Sequence, residues 1–172
     1  QSKLKLAIVS AIMACSAGLS TSSYAATTTA TMTVSSSVAT ACTMTTGDLT
    51  FGSYDPSTQA DVDSTATITS TCTTGGAAVI TMGQGNRAQV GSSDAAPLRA
   101  MYNGSEGAPE DLVYQVYSDS AGGTVWGNTS DTGKSITADG TAQAFTAYGR
   151  IPKNQTVGAG SFSDSVTVTL TY

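Results

Sequence analysis

Beyond residue 25 the sequence alternates with a period of two and shows no stretch with the 3.6-residue period of an amphipathic helix, which restricts the chain to β-structure. From Ala26 to Val38 the even positions read Ala26, Thr28, Ala30, Met32, Val34, Ser36 and Val38, while every odd position carries a hydroxyl. Successive side chains of a strand point to opposite faces, so this stretch has one apolar-leaning face and one polar face. Further strands are predicted at Leu49–Tyr54, Val62–Cys72, Ala77–Met82, Leu98–Tyr102, Leu112–Tyr117, Thr124–Trp126, Ala142–Ile151 and Ser161–Tyr172. Turn residues separate them: Asp55-Pro56, Gly75-Gly76, Asn103-Gly104, Gly122-Gly123 and Pro152. Many short strands punctuated in this way predict an all-β sandwich in a single domain.

The first residues read differently. Lys3 and Lys5 precede an apolar run from Leu6 to Ala14, and small residues lead to Ser23-Tyr24-Ala25. That is the layout of a secretory signal peptide, with cleavage expected after Ala25. The apolar run is far shorter than the roughly 20 residues of a membrane-spanning helix. A rival reading makes Ile12-Met13-Ala14-Cys15 a lipoprotein box with Cys15 acylated, although Met13 fits that box poorly. The expected division is therefore 1–25 signal peptide, 26–37 N-terminal segment and 38–172 sandwich.

Export changes the cysteine count. Of three cysteines, Cys15 leaves with the signal, and Cys42 and Cys72 remain. An even number in an oxidising compartment reads as a disulfide, with two free thiols as the alternative. Charge excludes another class. Without Lys3 and Lys5 the chain has 5 basic residues against 12 acidic ones, a net charge of −7 (5 − 12). Nothing in that balance neutralises phosphates, so no nucleic acid is expected as a partner.

Catalytic chemistry has few residues to draw on. With no histidine in the sequence, His-based triads, general bases and metal ligands are excluded. Carboxylate pairs such as Asp61 with Asp63, or Glu106 with Glu110, are read as solvated turn charges rather than a glycosidase pair. Trp126 and the seven tyrosines are read as core and cross-strand residues, a sugar-binding platform being the alternative. No catalytic, metal or cofactor site is expected.

Two features of the ends bear on assembly. The most regular strand, Ser161–Tyr172, is followed by no further strand, so the last strand of an immunoglobulin-like sandwich is expected to be missing. The alternating segment 26–38 stands ahead of the first sandwich cysteine. One expectation joins the two. Thr28, Ala30, Met32, Val34 and Val38 would form a donor strand for a neighbour's groove, the alternatives being that 26–38 pairs within its own subunit or stays disordered. Val166, Val168, Leu170 and Tyr172 would form the acceptor groove that receives it.

The sequence Ala30-Thr31-Met32-Thr33-Val34 before Ala41-Cys42, the segment Leu49 to Pro56 with Phe51-Gly52-Ser53-Tyr54, Ile68 to Cys72, and the terminal Val166 to Tyr172 together resemble the spore-coat-U-like pilins of archaic chaperone–usher pili, and are especially similar to the Csu-type major pilin. The resemblance covers essentially the whole mature chain. It implies an incomplete immunoglobulin-like sandwich completed first by a periplasmic chaperone's strand and then, at an outer-membrane usher, by the N-terminal segment of the next subunit. It further implies identical subunits and minor pilins as partners, capture of the C-terminal carboxylate of Tyr172 by the chaperone, export to a surface fibre, and biofilm formation. A minor or tip adhesin subunit, or a secreted carbohydrate-binding module, is the alternative.

Overall fold

In the computed structural model of the chain, residues 24–104 and 111–172 are described. The expected signal peptide up to residue 23, with the Cys15 acylation site, and the carboxylates Glu106 and Glu110 lie outside the described residues. The chain divides into two units, Gln1–Ser36 and Ser37–Tyr172. In the first, the described residues 24–36 carry no hydrogen-bonded secondary structure and are exposed throughout.

The second unit is all-β. Among the described residues eight strands are formed: β1 (Cys42–Thr46), β2 (Val62–Cys72), β3 (Ala77–Met82), β4 (Arg99–Met101), β5 (Leu112–Tyr117), β6 (Lys134–Thr137), β7 (Ala142–Ile151) and β8 (Val168–Thr171). They build a five-stranded sheet in the order β1-β2-β7-β5-β4 and a three-stranded sheet in the order β6-β3-β8. Every pairing between them is antiparallel.

The alternation of the sequence places the core. In β5, Leu112, Tyr114 and Val116 are buried while Val113 is exposed. In β2, Ile68, Ser70 and Cys72 turn inward. From the opposite sheet Ala78, Ile80 and Met82 of β3 meet them. Trp126 is completely buried, and its indole N–H donates to the carbonyl of Ile80 at 2.8 Å. That places it in the core rather than on a ligand-binding surface, and satisfies the polar edge of an otherwise apolar ring.

Two expected strands are not strands. Leu49–Tyr54 forms no ladder, yet Leu49, Phe51 and Tyr54 pack against the core. Gly149 makes room for them: a Cβ there would come within 2.6 Å of the Phe51 ring and 2.7 Å of Leu49. Thr124–Trp126 contributes a single bridge, Tyr117 to Val125, because the chain turns to drive Trp126 inward. The terminal strand is shorter than its pattern. Burial alternates from Phe162 to Leu170, but a ladder forms only over Val168–Thr171, where β3 lies alongside. Two strands were not anticipated. β1 is only five residues long with Cys42 and Met44 as its inward apolar positions, and its register with β2 sets Cys42 opposite Cys72. β6 carries one buried apolar residue, Ile136.

Candidate functional site

The two sheets do not close along one side. β1 is the edge of the five-stranded sheet and β8 the edge of the three-stranded sheet, and these two edges approach each other. Among the described residues β8 is hydrogen-bonded to β3 on one side and to no strand on the other. Behind this opening runs a groove of about 1080 Å3. Its floor and walls come from both sheets, with Ile68, Met82 and Val116 deep in it and Leu49, Phe51, Phe162, Val166 and Val168 around it. A cleft with apolar side chains in its floor, beside an unpaired strand edge, exposes two things a sandwich normally hides, hydrophobic surface and unbonded backbone.

One end of the groove is polar, and its geometry is specific. Tyr114 on β5 and Asp164 ahead of β8 both line it, and the phenol donates to Asp164 Oδ2 at 2.7 Å. Asp164 Oδ1 accepts the backbone N–H groups of Asn86 and Ser165, each at 2.8 Å. Burial, then the bond to Asp164, push the Tyr114 phenol well above its ordinary pKa of 10.0, so it stays protonated and donating. Gly85 accommodates the carboxylate by lacking a side chain: a Cβ there would meet Asp164 Oδ2 head-on, and its φ of +83° suits glycine.

Close by, Arg99 is fully buried. Its guanidinium donates to the carbonyls of Gly83 (2.9 Å), Met82 (3.1 Å) and Trp126 (2.7 Å), and to Gln115 Oε1 at 2.5 Å. Desolvation lowers its pKa to about 10, still leaving it charged at neutral pH. Sequence periodicity places Arg99 in a strand but gives no sign that its side chain turns inward. It joins β4 and β5 to the end of β3 by bonding carbonyls that no strand satisfies.

The expected acceptor residues are distributed unequally. Val166 and Val168 line the groove. Leu170 is half-buried against the core. Tyr172 is 60% exposed and lies instead beside Ala77, Val79 and Ile136 in a smaller cavity of about 350 Å3. Of the expected donor residues, Met32, Val34 and Val38 are more than 80% exposed, and Thr28 and Ala30 are exposed as well. Cys42 and Cys72 form a disulfide closing a separation of 30 residues. Asp61 and Asp63 both face Arg150, with a two-pronged bond from Arg150 to Asp63 at 2.7 and 2.8 Å. Neither is placed as an acid–base pair.

The spore coat protein U domain model matches residues 28–169. The chain belongs to the spore coat protein U family. "Protein U" of Myxococcus xanthus, one of its relatives, is 34% identical over 178 residues, covering 98% of each chain. The fold of this family member is also found in a solved chaperone–usher complex. It superimposes with a TM-score of 0.56 and 20% identity on a chain of the CsuC–CsuE chaperone–tip adhesion subunit pre-assembly complex from the archaic chaperone–usher Csu pili of Acinetobacter baumannii. The match covers 78% of this chain and 40% of that one, so the chain spans less than half the length of that solved relative. Membership of the spore coat protein U family makes this a structural protein rather than an enzyme.

Proposed function

We propose that this spore coat protein U domain is a rod-forming pilin of an archaic chaperone–usher pilus. It is exported through the periplasm and polymerises by donor-strand exchange. A chaperone strand occupies the groove first. At the usher, the segment 26–37 of the next identical subunit replaces it, with minor pilins completing a fibre that supports attachment and biofilm formation. The observation that carries this reading is the open groove beside the unpaired edge of β8. An added strand would gain main-chain bonds to that edge and bury alternate side chains, which is β-augmentation. Burying Met32 and Val34 is worth about 1.5–3 kcal/mol each. Ladder bonds add roughly 1 kcal/mol apiece.

The test is assembly of the mature chain and of a chain beginning at Ser37, each coexpressed with the chaperone and run on gels without boiling. A heat-sensitive ladder from the first and none from the second supports the reading. A soluble, heat-stable monomer from the shortened chain without any chaperone would mean a sandwich already complete, and the pilin reading would fall.

A further inference from the structure

The groove contains a polar mark, and the segment 26–38 contains a matching one. Along the inward face of the β8 segment the residues run, from the C-terminal end, Leu170, Val168, Val166, Asp164 and Phe162, apolar except for Asp164. Along the apolar-leaning face of the N-terminal segment they run Ala30, Met32, Val34, Ser36 and Val38, apolar except for Ser36. We infer that donor insertion is held in one antiparallel register in which Ser36 of a second copy meets Asp164. Ala30 then stands opposite Leu170, Met32 opposite Val168, Val34 opposite Val166 and Val38 opposite Phe162. This inference rests on the donor-strand reading above and assigns its alignment.

Three observations carry it. Asp164 has bonding capacity left: a carboxylate accepts about four hydrogen bonds, and the described residues supply three, from Asn86, Ser165 and Tyr114. The remaining acceptor site is on Oδ2, where a serine hydroxyl can donate. The donor is also electrically suited, since residues 24–41 contain no charged side chain and several hydroxyls. An uncharged strand enters beside a carboxylate without bringing a second one. Direction follows from the sandwich itself, in which every strand pairing is antiparallel, the geometry with the better-aligned ladder bonds.

A register shift of two residues keeps each side chain on its face, so polarity alone penalises it. Slid by two, the donor would set Val34 or Val38 against the Asp164 carboxylate and Ser36 against Phe162 or Val166. Asp164 and Ser36 are therefore positioning residues rather than mere groove lining. The inverted polar-apolar pattern around Met32 leaves one competitor, a parallel insertion with Thr28 at Asp164. That arrangement places Val34 opposite Leu170.

Cysteine pairs in the assembled fibre separate these cases. Val34→Cys with Val166→Cys is expected to give a covalent ladder on non-reducing gels after boiling, whereas Val34→Cys with Leu170→Cys is not. In a Ser36→Val background the shifted pair Met32→Cys with Val166→Cys is expected to begin crosslinking, a change that a purely structural role for Ser36 would not produce. A covalent ladder from the Leu170 pair, crosslinking confined to monomers, or no crosslink from either pair in fibres that still form a heat-sensitive ladder would overturn the register. Loss of the heat-sensitive ladder when segment 26–36 is intact in the wild-type chain would instead remove the donor-strand reading beneath it.

Discussion

The phenol of Tyr114 and the carboxylate of Asp164 join the two sheets across one end of the open groove, 2.7 Å apart. β5 carries the first and the approach to β8 carries the second, so the bond spans the side on which, among the described residues, β8 has no strand partner. Asp164 is held in turn by the backbone at Asn86 and Ser165. The polar end is thus built into the rim and does not depend on an inserted strand.

Replacing Tyr114 with Phe is expected to cost about 1–3 kcal/mol at neutral pH, the cost of leaving a partly buried acceptor short of a donor. The pH dependence carries a sign. Burial raises the folded-state pKa of this phenol above 10.0, so its contribution is present below pH 10 and declines as pH rises past it. The stability difference between wild type and Tyr114→Phe should therefore shrink above pH 10. Urea titrations of both proteins at neutral pH and at alkaline pH measure it, and a difference constant across that range would contradict it.

Arg99→Ala is expected to destabilise the sandwich by about 3 kcal/mol or more, because buried carbonyls of Met82, Gly83 and Trp126 lose their donor together. Arg99→Lys should recover part of this loss, since an ammonium keeps the charge without the planar fork. The folded-state pKa of about 10, lowered by desolvation, means that this group's contribution becomes more favourable as pH rises from 10 towards 12.5, opposite in sign to Tyr114. Chemical denaturation of the two variants decides between this and an incidental burial.

Reducing the Cys42–Cys72 disulfide releases a 30-residue loop in the unfolded chain. The chain-entropy relation gives a loss of about 3.5 kcal/mol. Unfolding midpoints with and without reductant, compared with a Cys42→Ala/Cys72→Ala variant, check the magnitude. Because the bond fixes β1 against β2, reduction should also loosen this edge of the five-stranded sheet.

Gly85→Ala is expected to cost about 1–2 kcal/mol for the left-handed backbone alone. Displacement of the Asp164 carboxylate, which stands where the new Cβ would go, adds to that cost. A Tyr114→Phe/Gly85→Ala double variant should lose less than the sum of the two single losses, since both act through Asp164. Additive losses in thermal unfolding would mean that the strain at Gly85 is relieved elsewhere.

Alternation and turn residues were enough to place β2, β3, β5 and β7 to the residue, because each strand is long enough for inward apolar and outward polar side chains to declare their faces. Pairing of Cys42 with Cys72 followed from parity once Cys15 was set aside with the expected signal peptide. The alternation of the C-terminal residues was legible in the same way, and burial follows it from Phe162 to Leu170. Tertiary structure decided the rest. β1 and β6 have almost no pattern of their own and exist because β2 and β3 offer them ladders. Leu49–Tyr54 has the pattern of a strand, yet no neighbouring edge pairs with it, so it spends its apolar residues on the groove instead. Arg99 is a charged residue whose side chain turns inward, which local sequence does not foresee, and the alternation that sets Asp164 inward gives no sign of the groups that satisfy it. Their burial depends on acceptors and donors brought from distant strands, and those meet only when the two sheets pack.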